Sequence, residues 1–196
     1  MLYKKANLRC RMEVEKIRVF LSRPNPFLNE HQYFLDKLQE MLDEADLKTL
    51  TLQADNYDLT DSINYLRGMI RQCYGIIIVS FKQIYIEKGK KKKGGRANPQ
   101  YFFPEEIDVS GQALTSPFCH IEGTIGILND LPLLIINEEG VREEGIIKGG
   151  RFSVKTPSFT LEHIDDFFAD KTVRRQISVW MGRVTDYYLF LNIKKV

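Results

Sequence analysis

The stretch Tyr74-Gly75-Ile76-Ile77-Ile78-Val79-Ser80-Phe81 decides the fold class. It is almost continuously apolar and rich in β-branched side chains, which is typical of a central parallel strand that is covered on both faces. Shorter runs of the same kind lie at residues 16–22, 47–52 and 131–137, and a further strand is expected at residues 151–154. Five such segments predict a five-stranded, mostly parallel sheet.

Segments with helical character alternate with these strands. Residues 27–45 carry apolar side chains three and four positions apart, which indicates an amphipathic helix. Residues 60–73 and 121–128 are expected to form two shorter helices, and residues 161–191 are expected to be mostly helical. This alternation, with short connections, predicts a doubly wound α/β fold of three layers, with helices on both faces of the sheet.

One long segment breaks this rhythm. Residues 82–115 separate the central strand from the next helix, and we expect an irregular insertion there. Its lysine-rich part, residues 90–93, is expected to be a mobile tip that is dispensable for folding, although it can also be interpreted as an electrostatic lid for a nucleotide or a contact with nucleic acid. The aromatic residues 101–103 are expected to pack onto the domain. We expect residues 1–15 to be a polar leader and residues 16–196 to be a single domain.

Composition narrows the range of functions. The formal charge of +2 over 196 residues gives no global field that would attract nucleic acid or a membrane. No apolar run approaches the roughly 20 residues that span a bilayer, and no signal peptide is evident. The three cysteines form no Cys-x-x-Cys pair, which favours a reducing cytoplasm. His31 and His163 lack metal-ligand spacing, and no Gly-x-Gly-x-x-Gly or P-loop is present, so neither a metal nor a cofactor is expected.

The stretch Ser116-Pro117-Phe118-Cys119-His120-Ile121-Glu122 is the most informative for function. It places Glu122 in the first turn of the predicted helix 121–128, which a strand follows almost at once. A carboxylate at the carboxyl edge of a parallel sheet lies where open α/β folds bind ligands. The alternative is that Glu122 is a helix-start residue that the helix dipole favours. Cys119 can likewise be a small core residue.

This stretch resembles the Ser-x-Trp-Cys-x-x-Glu motif around the catalytic glutamate of Toll/interleukin-1-receptor (TIR) domains, several of which cleave NAD. Ser116, Cys119 and Glu122 match that motif, and Phe118 stands where the family has tryptophan. The segment 61–80 resembles the TIR helix that leads into an apolar strand ending in serine. The resemblance covers about residues 16–137 and implies a TIR-like or flavodoxin-like arrangement of the sheet.

The TIR resemblance implies that NAD is a substrate, with cleavage of its nicotinamide–ribose bond by Glu122. It further implies bacterial anti-phage defence, a cytoplasmic location, a homo-oligomer and a partner protein of a defence system. The aromatic C-terminal segment with Trp180, Tyr187 and Tyr188 favours assembly. The resemblance also implies that Asp55, Tyr57 and Asp58, in the loop after the second strand, shape partner contacts and the mouth of the site. The alternative is that they are ordinary turn formers. The implied substrate contacts are Ser22, Arg23, Phe27, Ser80, Ser116, Phe118 and Cys119.

Two other functions remain open. Glu122-Gly123, followed by Ile125-Gly126 and the strand 131–135, is similar to the glutamate helix of nucleoside 2-deoxyribosyltransferases, in which the glutamate is a nucleophile. Both families attack N-glycosidic bonds of nucleosides or nucleotides. A non-catalytic module that senses a nucleotide or assembles with like domains is the third interpretation.

Overall fold

The computed structural model describes residues 16–52, 62–148 and 156–193, and these form an α/β fold around one five-stranded sheet. Every pairing in that sheet is parallel. In chain order the strands are β1 (Ile17–Ser22), β2 (Leu47–Leu50), β3 (Ile76–Ser80), β4 (Ile84–Ile86), β5 (Lys90–Lys91), β6 (Ile107–Asp108), β7 (Gln112–Leu114), β8 (Leu133–Glu138) and β9 (Ser158–Phe159). The central sheet has the order β2-β1-β3-β8-β9, which is the flavodoxin-like order, so the predicted fold class is confirmed.

Helices cover both faces of the sheet. One face packs against α1, α4 and α5, and the other packs against α2 and α3. Two short 3-10 helices, Gly145–Ile147 and Leu161–His163, precede the last strand and the last helices. The helices are α1 (Asn29–Glu44), α2 (Ser62–Ile70), α3 (Pro117–Leu128), α4 (Ile164–Ala169) and α5 (Lys171–Ile193).

The core follows directly from the strand sequences. All five residues of β3 are buried, because this strand lies in the middle of the sheet with a helical layer on each side. Ile77 and Val79 pack towards α1 and α5, whereas Ile76 and Ile78 pack towards α2 and α3. The continuous apolar run that predicted a central strand therefore serves two cores.

The insertion, residues 82–115, is not irregular as predicted. It forms two successive antiparallel ladders, β4 with β7 and β5 with β6. Lys90 and Lys91 form strand β5, which pairs with Ile107 and Asp108 of β6. The chain reverses its direction only in the residues that follow Lys91. The sequence concealed this because lysine and glycine are typical of loops, while these strand partners lie far apart in the chain.

The expected packing of the aromatic residues 101–103 is wrong. Tyr101, Phe102 and Phe103 are 60%, 90% and 58% exposed. They lie in a tight turn that Asn98 and Phe103 close by two backbone hydrogen bonds, so their side chains are at the far end of the insertion rather than on the domain. The base of the insertion is attached to the domain instead, where Ala113 pairs with Val141.

The C-terminal aromatic residues Trp180, Tyr187 and Tyr188 do not provide the exposed surface that favoured assembly, although Phe190 of the same helix is 55% exposed. Trp180 is buried and donates a hydrogen bond from Nε1 to the carbonyl oxygen of Pro132 at 3.0 Å. The ring of Tyr188 packs edge-on against that of Tyr74. These residues thus stabilise the helix on its own sheet, and oligomerisation remains a prediction without this support.

Some predicted segments lie outside the described residues. These are the leader, the loop with Asp55, Tyr57 and Asp58, and the proposed strand at 151–154. Among the described residues, the fifth strand of the sheet is β9, which begins after Pro157 and pairs with the end of β8. Within the three described ranges, none of the helices has the length and apolar character that crossing a bilayer would require.

Candidate functional site

Polar side chains occupy the carboxyl ends of three neighbouring strands. Ser22 ends β1, Ser80 ends β3, and Asn137 lies opposite Ser80 in the register of β8. Because side chains alternate between faces along a strand, all three continue the apolar rows that point towards α2 and α3. The sheet order reverses between β1 and β3, which is where sheets of this order bind ligands.

The helix α3 begins earlier than predicted, and this moves Glu122. Ser116 is the N-cap, where its Oγ accepts a hydrogen bond from the N–H of Phe118 at 3.2 Å, and Pro117 is the first helical residue. A capping serine followed by proline is a recognised start signal, which the prediction of a helix from residue 121 overlooked. Glu122 therefore lies in the second turn. Since the dipole effect is confined to the first turn, it does not explain a glutamate here.

Two glycines bring α3 close to the sheet. A Cβ atom added to Gly123 would lie 2.4 Å from Cδ1 of Ile78, and one added to Gly126 would lie 2.8 Å from Cγ2 of Ile76. Larger residues would therefore push the helix away from β3. This close approach is the reason that Glu122, next to Gly123, is buried against the edge of the sheet.

Glu122 is only 5% exposed, and its ionisation is strongly perturbed. Burial raises the pKa of Glu122 to about 7, while the nearby Ser22 hydroxyl and the positive charge of Arg23 oppose that change. Burial also lowers the pKa of Arg23, and the charge of Glu122 acts in the other direction. Among the ion pairs that the described residues form, none joins Arg23 to Glu122. The carboxyl group is thus held near its midpoint of titration at neutral pH.

Several buried polar atoms at this edge lack hydrogen-bond partners. They are Oγ of Ser22, Oγ of Ser80 and Oδ1 of Asn137. Ser22 is close enough to Glu122 and Cys119 to lower the pKa of both, yet it forms no hydrogen bond of ordinary geometry. A buried polar atom without a partner is costly, so a row of three at one sheet edge indicates a place where a ligand or water supplies the missing partners.

Of the remaining predicted residues, Ser116, Phe118 and Cys119 lie at the start of α3, whereas Phe27 lies elsewhere. Phe118 is partly exposed and lies one turn before Glu122 on the same face of α3. Ser116 is used as the helix cap. Cys119 is fully buried, and burial raises the pKa of its thiol to about 11, so it is protonated at neutral pH. Phe27 does not join this group, because its ring packs edge-on against His31 at the other face of the sheet.

That other face carries a second polar cluster, which sequence reasoning did not identify. His31 is buried between the rings of Phe27 and Phe81, and its Nε2 lies 3.4 Å from Oε2 of Glu138. Glu138 also accepts a hydrogen bond from the backbone N–H of Lys82 at 2.8 Å. Its other carboxylate oxygen lies 3.4 Å from Nζ of Lys82. Glu138 thereby ties the first residue of the insertion to the edge of the sheet.

Two shallow cavities lie away from Glu122. One of about 290 Å³ is lined by parts of α1 and α4, including Tyr33 and Asp165, and one of about 390 Å³ lies beside β9 and α5. Glu122 lines neither of them. The described part of the chain contains no cluster of three or more His, Cys, Asp or Glu side chains that could hold a metal ion.

Asn137 is the residue of this site that the sequence analysis missed. It follows the apolar run at the end of β8, as Ser80 does at the end of β3. The available signal was a polar residue directly after a buried strand, at the same edge as Ser22 and Ser80. Recognising it required the register of β3 and β8, which the sequence does not show.

Comparisons with known proteins identify no relative. No protein-family model matches the chain, and no curated protein or solved structure is significantly similar to it. The TIR resemblance therefore depends on the sequence motifs alone.

Proposed function

We propose that this protein cleaves the N-glycosidic bond between nicotinamide and ribose in NAD, with Glu122 as the essential carboxylate. The observation that carries the proposal is the position of Glu122: a buried carboxyl group beside unpartnered polar atoms, at the point where the order of the sheet reverses. The resemblance to TIR domains around Ser116, Phe118, Cys119 and Glu122 supports the same chemistry.

The reaction requires a negative charge next to the sugar. Breaking the bond from C1′ of ribose to the pyridinium nitrogen leaves positive charge on the ribose ring and releases neutral nicotinamide. The ionised Glu122 stabilises that charge, and the desolvation that raises its pKa also strengthens the interaction. In hydrolysis, water then forms the new bond to C1′ and loses a proton, which gives ADP-ribose. An attack by another group of the same nucleotide gives a cyclised product.

The neighbouring residues match other parts of the nucleotide. The hydroxyls of Ser22 and Ser80 and the amide of Asn137 provide donors and acceptors for ribose hydroxyl groups. Arg23 provides a cation for a phosphate. Phe118, one helical turn from Glu122, provides an aromatic face for nicotinamide or adenine. Because Glu122 is almost fully buried, substrate reaches it past the partly exposed side chains of Arg23 and Phe118.

A second candidate uses the same carboxylate as a nucleophile. A nucleosidase similar to nucleoside 2-deoxyribosyltransferases would form a covalent bond between Glu122 and C1′ of deoxyribose, with release of the base. With a pKa near neutrality, a large fraction of Glu122 is ionised at neutral pH, as a nucleophile requires. The first candidate includes a function in anti-phage defence in the cytoplasm. In that function the protein would act with copies of itself or with a partner protein.

The test is to incubate the purified protein with NAD and, separately, with purine and pyrimidine deoxynucleosides, and to separate the products by chromatography. Release of nicotinamide supports the proposal, whereas release of a free base from deoxynucleosides supports the second candidate. Binding of NAD without any product would indicate a module that senses nucleotides.

A matched pair of variants assigns the activity to the site. Glu122→Gln keeps the shape of the side chain and removes its charge, so turnover should fall by about a hundredfold or more while the fold is retained. Glu139→Gln makes the same change at an exposed position and should leave turnover unchanged. Equal activity in the two variants would exclude Glu122 as the essential group.

A further inference from the structure

The far end of the insertion combines cations with exposed aromatic rings. Residues 92–103 contain three basic residues and no acidic one. Lys92, Lys93 and Arg96 are exposed, and none of these side chains has an ion-pair partner within the described part of the chain. Tyr101, Phe102 and Phe103 are the exposed apolar residues of the same segment. The overall charge of +2 conceals this excess of positive charge, although Glu105 is exposed just beyond the segment and Glu106 accepts a hydrogen bond from the N–H of Gly94.

The backbone conformation of Phe102 is strained, and its ring is exposed. Phe102 has a φ of 54°, in the left-handed region that bulky residues rarely adopt, and it is 90% exposed. It occupies the last position of the turn that Asn98 and Phe103 close, where glycine or asparagine is usual. No burial within the protein compensates for this strained conformation. Contact with a partner outside the chain would compensate for it.

We propose that the tip of the insertion, residues 92–103, binds the surface of an anionic lipid bilayer. Phenylalanine and tyrosine side chains enter the boundary between headgroups and acyl chains, while lysine and arginine contact the acidic headgroups. The tip has both groups of side chains in one projecting segment. This inference is independent of the function proposed for Glu122.

The ring geometry excludes one way of binding single-stranded nucleic acid. Proteins that bind single strands stack bases on aromatic faces. The centroids of the Tyr101 and Phe103 rings lie 5.5 Å apart, with an angle of 30° between the rings. A base between two rings needs a separation of about 7 Å, or two steps of the 3.4 Å stacking distance in DNA, so none fits there. The aromatic tip is suited to entering an apolar layer as one unit.

The base of the insertion is positioned to hold this tip away from the domain. Lys90 forms an ion pair with Glu106, Lys91 pairs with Glu144, and Arg142 donates a hydrogen bond to Gln112. These contacts occupy the cations near the domain and leave those of the tip available. The cations at the base of the insertion therefore have a structural role, whereas those of the tip have no ion-pair partner among the described residues.

The test uses the full chain and vesicles of phosphatidylcholine, with and without phosphatidylserine, in a flotation assay. The protein should float with the vesicles that contain phosphatidylserine, and raising the salt concentration should weaken that binding. Phe102→Gly relieves the backbone strain, so it should fold at least as well as the wild type, yet its partition coefficient should fall by about tenfold or more. Each change of Lys92, Lys93 or Arg96 to Ser should lower it by about fivefold.

Leu128→Ser is the matched control, because Leu128 is an apolar residue of α3 that is 77% exposed away from the tip. It should bind vesicles as the wild type does. The proposal is overturned if the wild type fails to float, if Phe102→Gly floats equally well, or if phosphatidylserine makes no difference. It is also overturned if a labelled single-stranded oligonucleotide, and not the vesicles, shows binding that depends on Phe102.

Discussion

Replacing Glu122 by glutamine should make the protein more stable at alkaline pH, which is unusual for a change at a buried site. The pKa of Glu122 is about 7 in the folded protein and about 4.5 in an unfolded chain. The folded state therefore binds more protons between these two values, and stability falls as pH rises through this range. Glutamine carries no charge at any pH and escapes this loss.

The size of the effect follows from the two pKa values. Their difference corresponds to about 3 kcal/mol, at about 1.4 kcal/mol for each tenfold change in the ionisation constant. At pH 5 the folded state is almost fully protonated, whereas Glu122 of the unfolded chain is already about three-quarters ionised. The wild type has then lost only about 0.8 kcal/mol of the total, so the Glu122→Gln variant should match it within about 1 kcal/mol. At pH 8 the variant should have the larger free energy of unfolding, by about 3 kcal/mol.

Urea denaturation followed by circular dichroism, at pH values from 5 to 8.5, measures this difference. Glu139→Gln is the control, because Glu139 is exposed and its replacement should change stability by a similar small amount at every pH. A difference between wild type and Glu122→Gln that does not change with pH would refute the reasoning. It would show that Arg23 and Ser22 compensate fully for burial of the charge.

Two further predictions concern the packing and the thiol of α3. Gly126→Ala should lower the free energy of unfolding by about 1–3 kcal/mol, because the new methyl group would overlap Ile76. The control Gly182→Ala in α5 meets no atom within 4 Å and should raise the free energy of unfolding by up to about 1 kcal/mol. Equal free energies of unfolding for the two variants in urea denaturation would show that α3 does not approach the sheet as closely. Cys119 should react with a maleimide far more slowly in native buffer than in urea, because it is buried and burial raises the pKa of its thiol, and rapid labelling of the native peptide in mass spectrometry would contradict this.

The strands of the sheet were predictable because the apolar pattern of each strand lies within a short segment of the sequence. The run that became β3 is apolar along its whole length, and a strand with a helical layer on each face requires this. The ends of β1 and β3 followed from the same pattern, so Ser22 and Ser80 were placed at the correct edge. Glu122 was identified from its motif, although its helical turn was wrong because the Ser116-Pro117 start signal was overlooked.

The parts that sequence reasoning missed depend on pairings between distant residues. Asn137 joins the site only through the register of β8 with β3, and His31 meets Glu138 only when α1 packs on the sheet. The insertion has strands whose partners are separated by loop-like lysine and glycine residues. Its aromatic residues were expected to be packed because apolar side chains usually are, but the turn at Phe102 directs them outwards.

The most direct test of the role of Glu122 is the pH dependence of NAD cleavage by the wild type and by Glu122→Gln. Since catalysis needs the ionised carboxylate, kcat/KM for nicotinamide release should rise about tenfold per pH unit below pH 7 and level off above it. The variant should release nicotinamide about a hundredfold more slowly or worse at the plateau. Cleavage of NAD by folded Glu122→Gln at the wild-type rate would contradict the assignment.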